Sequence, residues 1–237
     1  MSRKTSPGFL WPLLAVVAGA GVVTALGFIW FYAPEEQVLG VSQKIFYFHV
    51  PSAFGMYFAT GLCALSSAVF LVTRKDKADA LAAASGSVAL VFCIVVLVTG
   101  PLWARAAWGV WWTWEPRLTS VMVLGLVLFA YAVLRKAAER TPGLARFAAA
   151  LAVLGAVDIP IIHLAVRKWR GNHPTVIYKS GGLTPEMGLT FGISLAAFTV
   201  LVVVLLALRY RIEVSRREVA RLTAAQALRP DGAATGG

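Results

Sequence analysis

Six apolar stretches, each long enough to cross a lipid bilayer, dominate this sequence and leave little of it for any other kind of fold. A transmembrane helix needs roughly 20 apolar residues in a row, and hydrophobic residues make up 59% of the 237 residues while charged residues make up 14%. The predicted spans are Phe9–Phe31, Val50–Val72, Ala80–Leu102, Leu118–Leu134, Phe147–Val166 and Met187–Leu208. We therefore expect an all-α integral membrane protein, a bundle of six transmembrane helices.

Lysine and arginine are distributed unevenly between the two sides of this bundle. Fifteen of the 22 basic residues fall in the N-terminus, the second and fourth loops and the C-terminal tail, and seven fall in the other loops. Basic loops stay preferentially in the cytoplasm. This pattern predicts a multi-pass protein with both termini in the cytoplasm and its long loops outside. Those loops are Tyr32–His49, Trp103–Arg117 and Arg167–Glu186.

The sequence divides into a membrane part and a short tail. Residues 1–209 form the predicted six-span membrane domain, with a tryptophan-rich outer loop at residues 103–117, and residues 210–237 form a basic cytoplasmic tail whose end is expected to be disordered. The tail suits either an interfacial helix on anionic lipid or a docking surface for a cytoplasmic partner. The net charge of +11 follows from the topology and the tail, and the sequence has no signature of a nucleic-acid-binding fold.

The two cysteines, Cys63 and Cys93, both fall inside predicted spans. Neither belongs to a C-x-x-C or C-x-x-C-H pattern, so the sequence is neither that of a thiol oxidoreductase nor that of a c-type cytochrome. We expect both side chains to be small apolar members of the core.

Four of the eight tryptophans lie within seven residues, in the loop between the third and fourth spans. Tryptophan favours the membrane–water boundary, and one or two there would form an ordinary interfacial belt. Four of them, followed by Glu115 and Arg117, favour instead a flat aromatic platform for a planar ligand at the outer face. The platform residues are Trp108, Trp111, Trp112 and Trp114.

The histidines fall at or near the outer ends of the spans. His49 precedes Pro51, a residue suited to the first turn of a helix, so we expect His49 near the cap of the second span. There the helix dipole favours the neutral imidazole, whose lone pair can bind a metal. His173 lies in the third outer loop. Either could be structural alone, but together with the platform they match what a haem requires, and Arg117 is among the basic residues suited to its propionates.

The fifth span contains polar residues whose role the sequence leaves open. Pro160 is expected to kink this helix, and His163 follows near its outer end. Asp158 is costly inside a span and needs a partner or a water-filled cavity. It could pair with an outer arginine or with His163, or it could serve a ligand or proton-transfer role. Glu115 likewise could pair with a nearby arginine or hydrogen-bond a propionate.

With these residues in view, the segment Trp108–Thr119 resembles the tryptophan-rich signature of the haem-handling proteins of cytochrome c maturation. The contexts Phe48–Pro51 and Asn172–His173, together with six spans, resemble the haem exporter protein C family, also called cytochrome c maturation protein C, over roughly residues 9–208. The resemblance implies that His49 and His173 are the two axial ligands of the haem iron and that the four tryptophans form its platform. The signature commonly has Asp where this chain has Glu115.

The resemblance also implies a function without catalysis by this chain. Such a protein binds haem b non-covalently and transiently at the periplasmic face of the bacterial inner membrane and delivers it to a membrane-anchored haem chaperone. Its expected partners are the membrane and ATPase subunits of an ABC transporter, a small single-span accessory subunit and the lipid bilayer, with no nucleic acid. Any ATPase activity would belong to the partner subunits.

Three other classes fit the sequence less well. A cytochrome c haem lyase carries a further histidine pair within its spans, for which only His163 is available here. A b-type electron-transfer subunit needs histidines that face each other from inside two helices, whereas His49 and His173 are expected at loop level. A transporter that moves haem through its own bundle needs a polar path, and the inner halves of the spans show none.

Overall fold

The computed structural model describes residues 9–138, 141, 143–169 and 182–227, and within them it contains helices and no strand. A π-helical turn at Phe28–Tyr32 continues the first helix, and a 3₁₀ turn at Val41–Ile45 leads into the second. In chain order the helices are α1 (Leu10–Gly27), α2 (Phe46–Thr73), α3 (Asp76–Trp108), α4 (Pro116–Ala138), α5 (Leu144–Gly155), α6 (Asp158–Lys168) and α7 (Pro185–Ala227).

The predicted number of membrane spans is confirmed, because six helical segments of the described residues are long and apolar enough to cross a membrane. Helices α5 and α6 together supply the fifth of these, Leu144–Ala165. The helices run beyond the predicted spans, since a helix satisfies its own backbone hydrogen bonds in lipid and in water alike. Thus α7 is continuous from Pro185 to Ala227, and the predicted tail begins inside this helix rather than at a break in the chain.

The fifth span is interrupted between α5 and α6, at Ala156 and Val157. Pro160 has no N–H to donate to the carbonyl of Ala156, four residues earlier, and its ring crowds that carbonyl. The hydrogen bonds around the break therefore tighten to a spacing of three residues. The amide of Ile159 donates to Ala156 O at 3.2 Å, and that of Val157 donates to Leu154 O at 3.1 Å. The kink predicted at Pro160 is confirmed.

The core lies where α2, α3, α4 and α7 meet. Burying apolar surface gains little between helices that already lie in lipid, so van der Waals packing holds them together, and small residues let their backbones approach closely. A Cβ on Gly125 of α4 would lie 2.8 Å from Leu97 Cδ1 and 3.3 Å from Cys93 Sγ on α3, so a side chain here would require the Leu97 side chain to shift. Both cysteines are buried and unpaired with each other, as expected of core residues.

An ion-pair network ties three helices together at the end of the bundle opposite the tryptophans. The guanidinium of Arg135, at the end of α4, donates to both carboxylate oxygens of Asp79 on α3, at 2.5 and 3.0 Å. Arg217 of α7 reaches the same carboxylate at 2.9 Å and also pairs with Glu213 at 2.9 Å. The side chains of Arg135 and Asp79 are only 13% and 10% exposed. Because the bidentate geometry satisfies both buried charges, this end is held in one arrangement.

We predict that Asp79→Ala destabilises the bundle strongly, because it leaves the buried guanidinium of Arg135 without its carboxylate. Removing one partner of a buried pair costs about 3–5 kcal/mol. The matched control is Asp76→Ala, which breaks a pair with Arg221 whose side chains are 62% and 64% exposed. Exposed pairs contribute about 0.2–1 kcal/mol. Thermal unfolding of the purified protein in detergent measures both variants, and equal melting temperatures would contradict the prediction.

Candidate functional site

A cavity of about 560 Å³ lies at the end of the bundle where α3 ends and α4 begins. We call it the tryptophan cavity. Its size falls within the range of about 300–1,000 Å³ that is usual for pockets that bind small molecules. Residues of α2, α3, α4 and α6 form most of its wall, and residues before α2 and around the start of α7 complete it. Its aromatic and ionisable lining residues include His49, Tyr57, Trp103, Trp108, Trp112, Arg117 and His163.

His49 is placed inside α2, not at its cap. The helix begins at Phe46, so that His49 is its fourth residue and Pro51 its sixth. The expectation that Pro51 would stand in the first turn was wrong, because packing of the preceding aromatic residues extends the helix backwards. Tyr47 is fully buried in a cluster with Ile29, and the Phe46 ring lies 5.1 Å from that of Phe191. This arrangement turns His49 towards α3, and its Nδ1 lies 2.9 Å from Thr99 Oγ1.

Arg117 brings a positive charge into the tryptophan cavity from the start of α4. Pro116 occupies the first position of that helix, where its missing N–H costs nothing. The guanidinium of Arg117 lies near the Tyr57 hydroxyl, and its charge lies close enough to His49 to act on the imidazole. The structure therefore groups a histidine of α2 with a cation of α4 across the cavity.

Glu115 stands immediately before α4, and its carbonyl accepts a hydrogen bond from the amide of Thr119 at 3.0 Å. Its carboxylate lies at the positive end of the dipole of α4, a placement that stabilises a negative charge. Glu115 lies two residues before Arg117 in sequence, and it is not among the residues that line the tryptophan cavity.

The four clustered tryptophans do not form one flat surface. Trp108 meets Trp103 edge to face, with an angle of 85° between the rings, and Trp112 meets Trp114 at 76°. Trp111 and Trp114 are 58% and 74% exposed and lie outside the tryptophan cavity. The platform expectation fails because Gly109, at a φ of 75°, ends α3 in the left-handed conformation and sends the following rings in another direction.

Three tryptophans nevertheless line the tryptophan cavity: Trp103, Trp108 and Trp112. The indole Nε1 of Trp112 is buried and has no hydrogen-bond partner among the described residues. Buried donors are normally satisfied, so this N–H is a place where a ligand acceptor can bind. Sequence reasoning missed Trp103, although it stands one helical turn and a half before Trp108 in the same helix.

His163 also lines the tryptophan cavity, from α6. Its Nδ1 lies 3.1 Å from the carbonyl oxygen of Ile159, and its ring lies 4.8 Å from that of Tyr57. Asp158 begins α6, where the helix dipole favours a carboxylate. Its Oδ2 is buried without a hydrogen-bond partner in the part of the chain that the structure describes. The break before α6 brings His163 to the same cavity as His49, so the described residues offer no separate second histidine pair.

His173, the second histidine predicted to bind iron, lies outside the described residues. The chain that follows this undescribed segment returns to the site, because Gly182 and Leu183 both line the tryptophan cavity. The structure therefore brings together His49, Arg117, Trp108 and Trp112 of the predicted set.

Comparison with known proteins identifies the family of this chain. The family described as "Heme exporter protein C" matches residues 4–225. A relative of that name from Bradyrhizobium diazoefficiens is 36% identical over 200 residues, which cover 83% of this chain and 76% of the relative. The one from Paracoccus denitrificans is 31% identical over 88% of this chain and 89% of its own, and that from Escherichia coli K12 is 32% identical over 86% and 83%. The chain belongs to the haem exporter protein C family.

Proposed function

We propose that this protein holds haem in the tryptophan cavity at the periplasmic face of the membrane and delivers it to a membrane-anchored haem chaperone for cytochrome c biogenesis. The observation that carries the proposal is the grouping of His49, Arg117 and Trp112 around one cavity of ligand size. The relatives' shared name, a haem exporter, supports haem as the cargo. In this role the chain binds and hands over its cargo and performs no chemistry on it.

The residues present fit haem. A neutral imidazole is a ligand for iron, aromatic rings suit the faces of a macrocycle, and a guanidinium grips a carboxylate in a bidentate way. His49, Trp108 and Arg117 supply these three kinds of group within one cavity. We propose His49 and His173 as the axial ligands, and Trp112 and Glu115 as further residues that serve haem binding. Binding is non-covalent, as in haem b, because Cys63 and Cys93 are buried in the core away from the cavity.

The structure adds support for an orientation in which both termini are cytoplasmic. The guanidinium of Arg211, in α7, lies 4.2 Å from the ring of Trp11 near the start of α1, so the two terminal segments share one end of the bundle. The basic residues concentrate in the segments at this end, and such segments stay in the cytoplasm. The tryptophan cavity then opens towards the periplasm of a bacterial inner-membrane protein.

The proposed partners are those that the family resemblance implies. We propose that Trp111 and Trp114, exposed beside the tryptophan cavity, face the haem chaperone. The membrane and ATPase subunits of an ABC transporter and a small single-span subunit complete the complex. Residues 1–209 then act as the haem-handling domain in the membrane, and residues 210–237 act as its cytoplasmic tail.

We expect a periplasm-specific reporter enzyme fused after Gly109 to be active and the same reporter fused after Thr141 to be inactive. These two positions flank α4 on opposite sides of the membrane in the proposed orientation. Activity at Thr141, or none at Gly109, would reverse the orientation and place the tryptophan cavity in the cytoplasm.

His49→Ala and His173→Ala should each convert bound haem from a six-coordinate, bis-imidazole spectrum to a different coordination state, because each removes one axial nitrogen. His163→Ala is the control within the same cavity, and it should leave the coordination unchanged. Absorption spectra of the purified protein in oxidised and reduced forms provide the measurement. If His163→Ala alone abolishes the bis-imidazole spectrum, the ligands are assigned wrongly.

Trp112→Ala should weaken haem retention about tenfold, because it removes a ring from the cavity wall and such contacts contribute on the order of 1 kcal/mol beyond area burial. Trp114→Ala should leave retention within about twofold, since its ring is 74% exposed and lies outside the cavity, but it should slow loading of the chaperone. Haem titration and a transfer assay with chaperone-containing membranes separate the two effects. Equal loss of retention in both variants would refute the division between cavity and partner surface.

A further inference from the structure

Thr99 stands directly behind His49, on the neighbouring helix α3. The Thr99 Oγ1 lies 2.9 Å from His49 Nδ1 and donates its own hydrogen bond to the carbonyl of Val95 at 2.7 Å. Thr99 was not singled out by the sequence, in which it is one of many hydroxyl residues in the spans. The arrangement is a relay of two hydrogen bonds, from imidazole to hydroxyl to backbone carbonyl.

Counting hydrogens in this relay fixes the tautomer of His49. A hydroxyl has one hydrogen, and a carbonyl oxygen can only accept. The hydrogen of Thr99 is therefore committed to Val95 O, and its oxygen presents a lone pair to Nδ1. His49 must then carry its proton on Nδ1, and because a neutral imidazole has one N–H, the lone pair is on Nε2.

The backbone of α3 also limits where the ring can go. A Cβ on Gly100 would lie 3.4 Å from His49 Cε1, so the ring edge rests against the helix at a residue with no side chain. Thr99 thus sets the direction of the ring through one nitrogen, and Gly100 leaves the space that the ring needs.

We propose that Thr99 is a positioning residue for iron binding by His49: it selects the tautomer with the lone pair on Nε2 and makes that nitrogen a stronger donor. Groups that accept the outer N–H of a metal-binding histidine fix its tautomer and raise its basicity. The proposal rests on the assignment of His49 as an iron ligand in the proposed function. His163 achieves the same tautomer differently, since its Nδ1 can only donate to the Ile159 carbonyl of its own helix.

The first test needs no haem. Nitrogen NMR of the haem-free protein, labelled with ¹⁵N-histidine and assigned by comparison with His49→Ala, reports which ring nitrogen carries the proton. We expect Nδ1–H in the native protein and in Thr99→Ser, which keeps the acceptor, and a mixture of tautomers in Thr99→Val. A native spectrum with the proton on Nε2 overturns the proposal whether or not any variant folds.

The second test measures haem binding and the midpoint potential of the bound iron. Thr99→Val should weaken binding about tenfold, the lower end of what such groups contribute, and it should raise the potential, because a weaker imidazole donor stabilises ferric iron less. Thr99→Ser should restore both. The matched control is Thr60→Val, which removes an equivalent hydroxyl bond, to Met56 O at 2.7 Å, from a buried residue that does not line the cavity. It should change neither quantity.

The outcomes separate this inference from the function on which it depends. If His49→Ala loses haem while Thr99→Val keeps the native affinity and potential, Thr99 has no positioning role and the inference fails alone. If His49→Ala binds haem as the native protein does, the assignment of the ligand fails instead, whatever the tautomer. If Thr60→Val shifts the potential as much as Thr99→Val does, the effect is one of general packing, and the inference is overturned.

Discussion

Backbone amides and carbonyls in the hydrocarbon core have no water to bond, and this requirement shapes everything else in the molecule. Each segment that crosses the membrane is therefore a helix, and the two ends of the bundle differ only in their side chains. One end carries charged side chains, and there Asp79 forms ion pairs with Arg135 and Arg217. The other end carries aromatic and imidazole side chains around a cavity. In the middle, large apolar side chains of α2, α3, α4 and α7 pack together, and glycines such as Gly125 allow close contacts between helices.

Features that depend on local sequence were predictable. Hydropathy predicted the six spans, and Pro160 predicted the break between α5 and α6. Both features depend on residues that lie close together in the sequence. The residue at which a helix begins was less predictable. The helix that contains His49 starts three residues before it because buried Tyr47 packs on a distant helix, and such packing overrides the preference of Pro51 for a first turn.

The site was predictable in composition and not in geometry. The sequence indicates that tryptophans and histidines gather at one end, but the directions of their rings depend on the left-handed turn at Gly109 and on which helices are neighbours. The contact between His49 and Thr99 joins residues 50 positions apart, on helices that pack side by side. His163 likewise lines the same cavity because α6 takes a new direction after the break.

The ion-pair network has a consequence for how the protein is made. Asp79 and Arg135 are synthesised early, in the third and fourth spans, whereas Arg217 comes near the end of the chain. During synthesis the carboxylate can meet Arg135 first, and the second guanidinium arrives only when the last span has left the ribosome and entered the bilayer. The ion-pair network around Asp79 therefore becomes complete only after α7 has entered the bilayer. If synthesis stalls before α7, Asp79 can pair with Arg135 but not with Arg217.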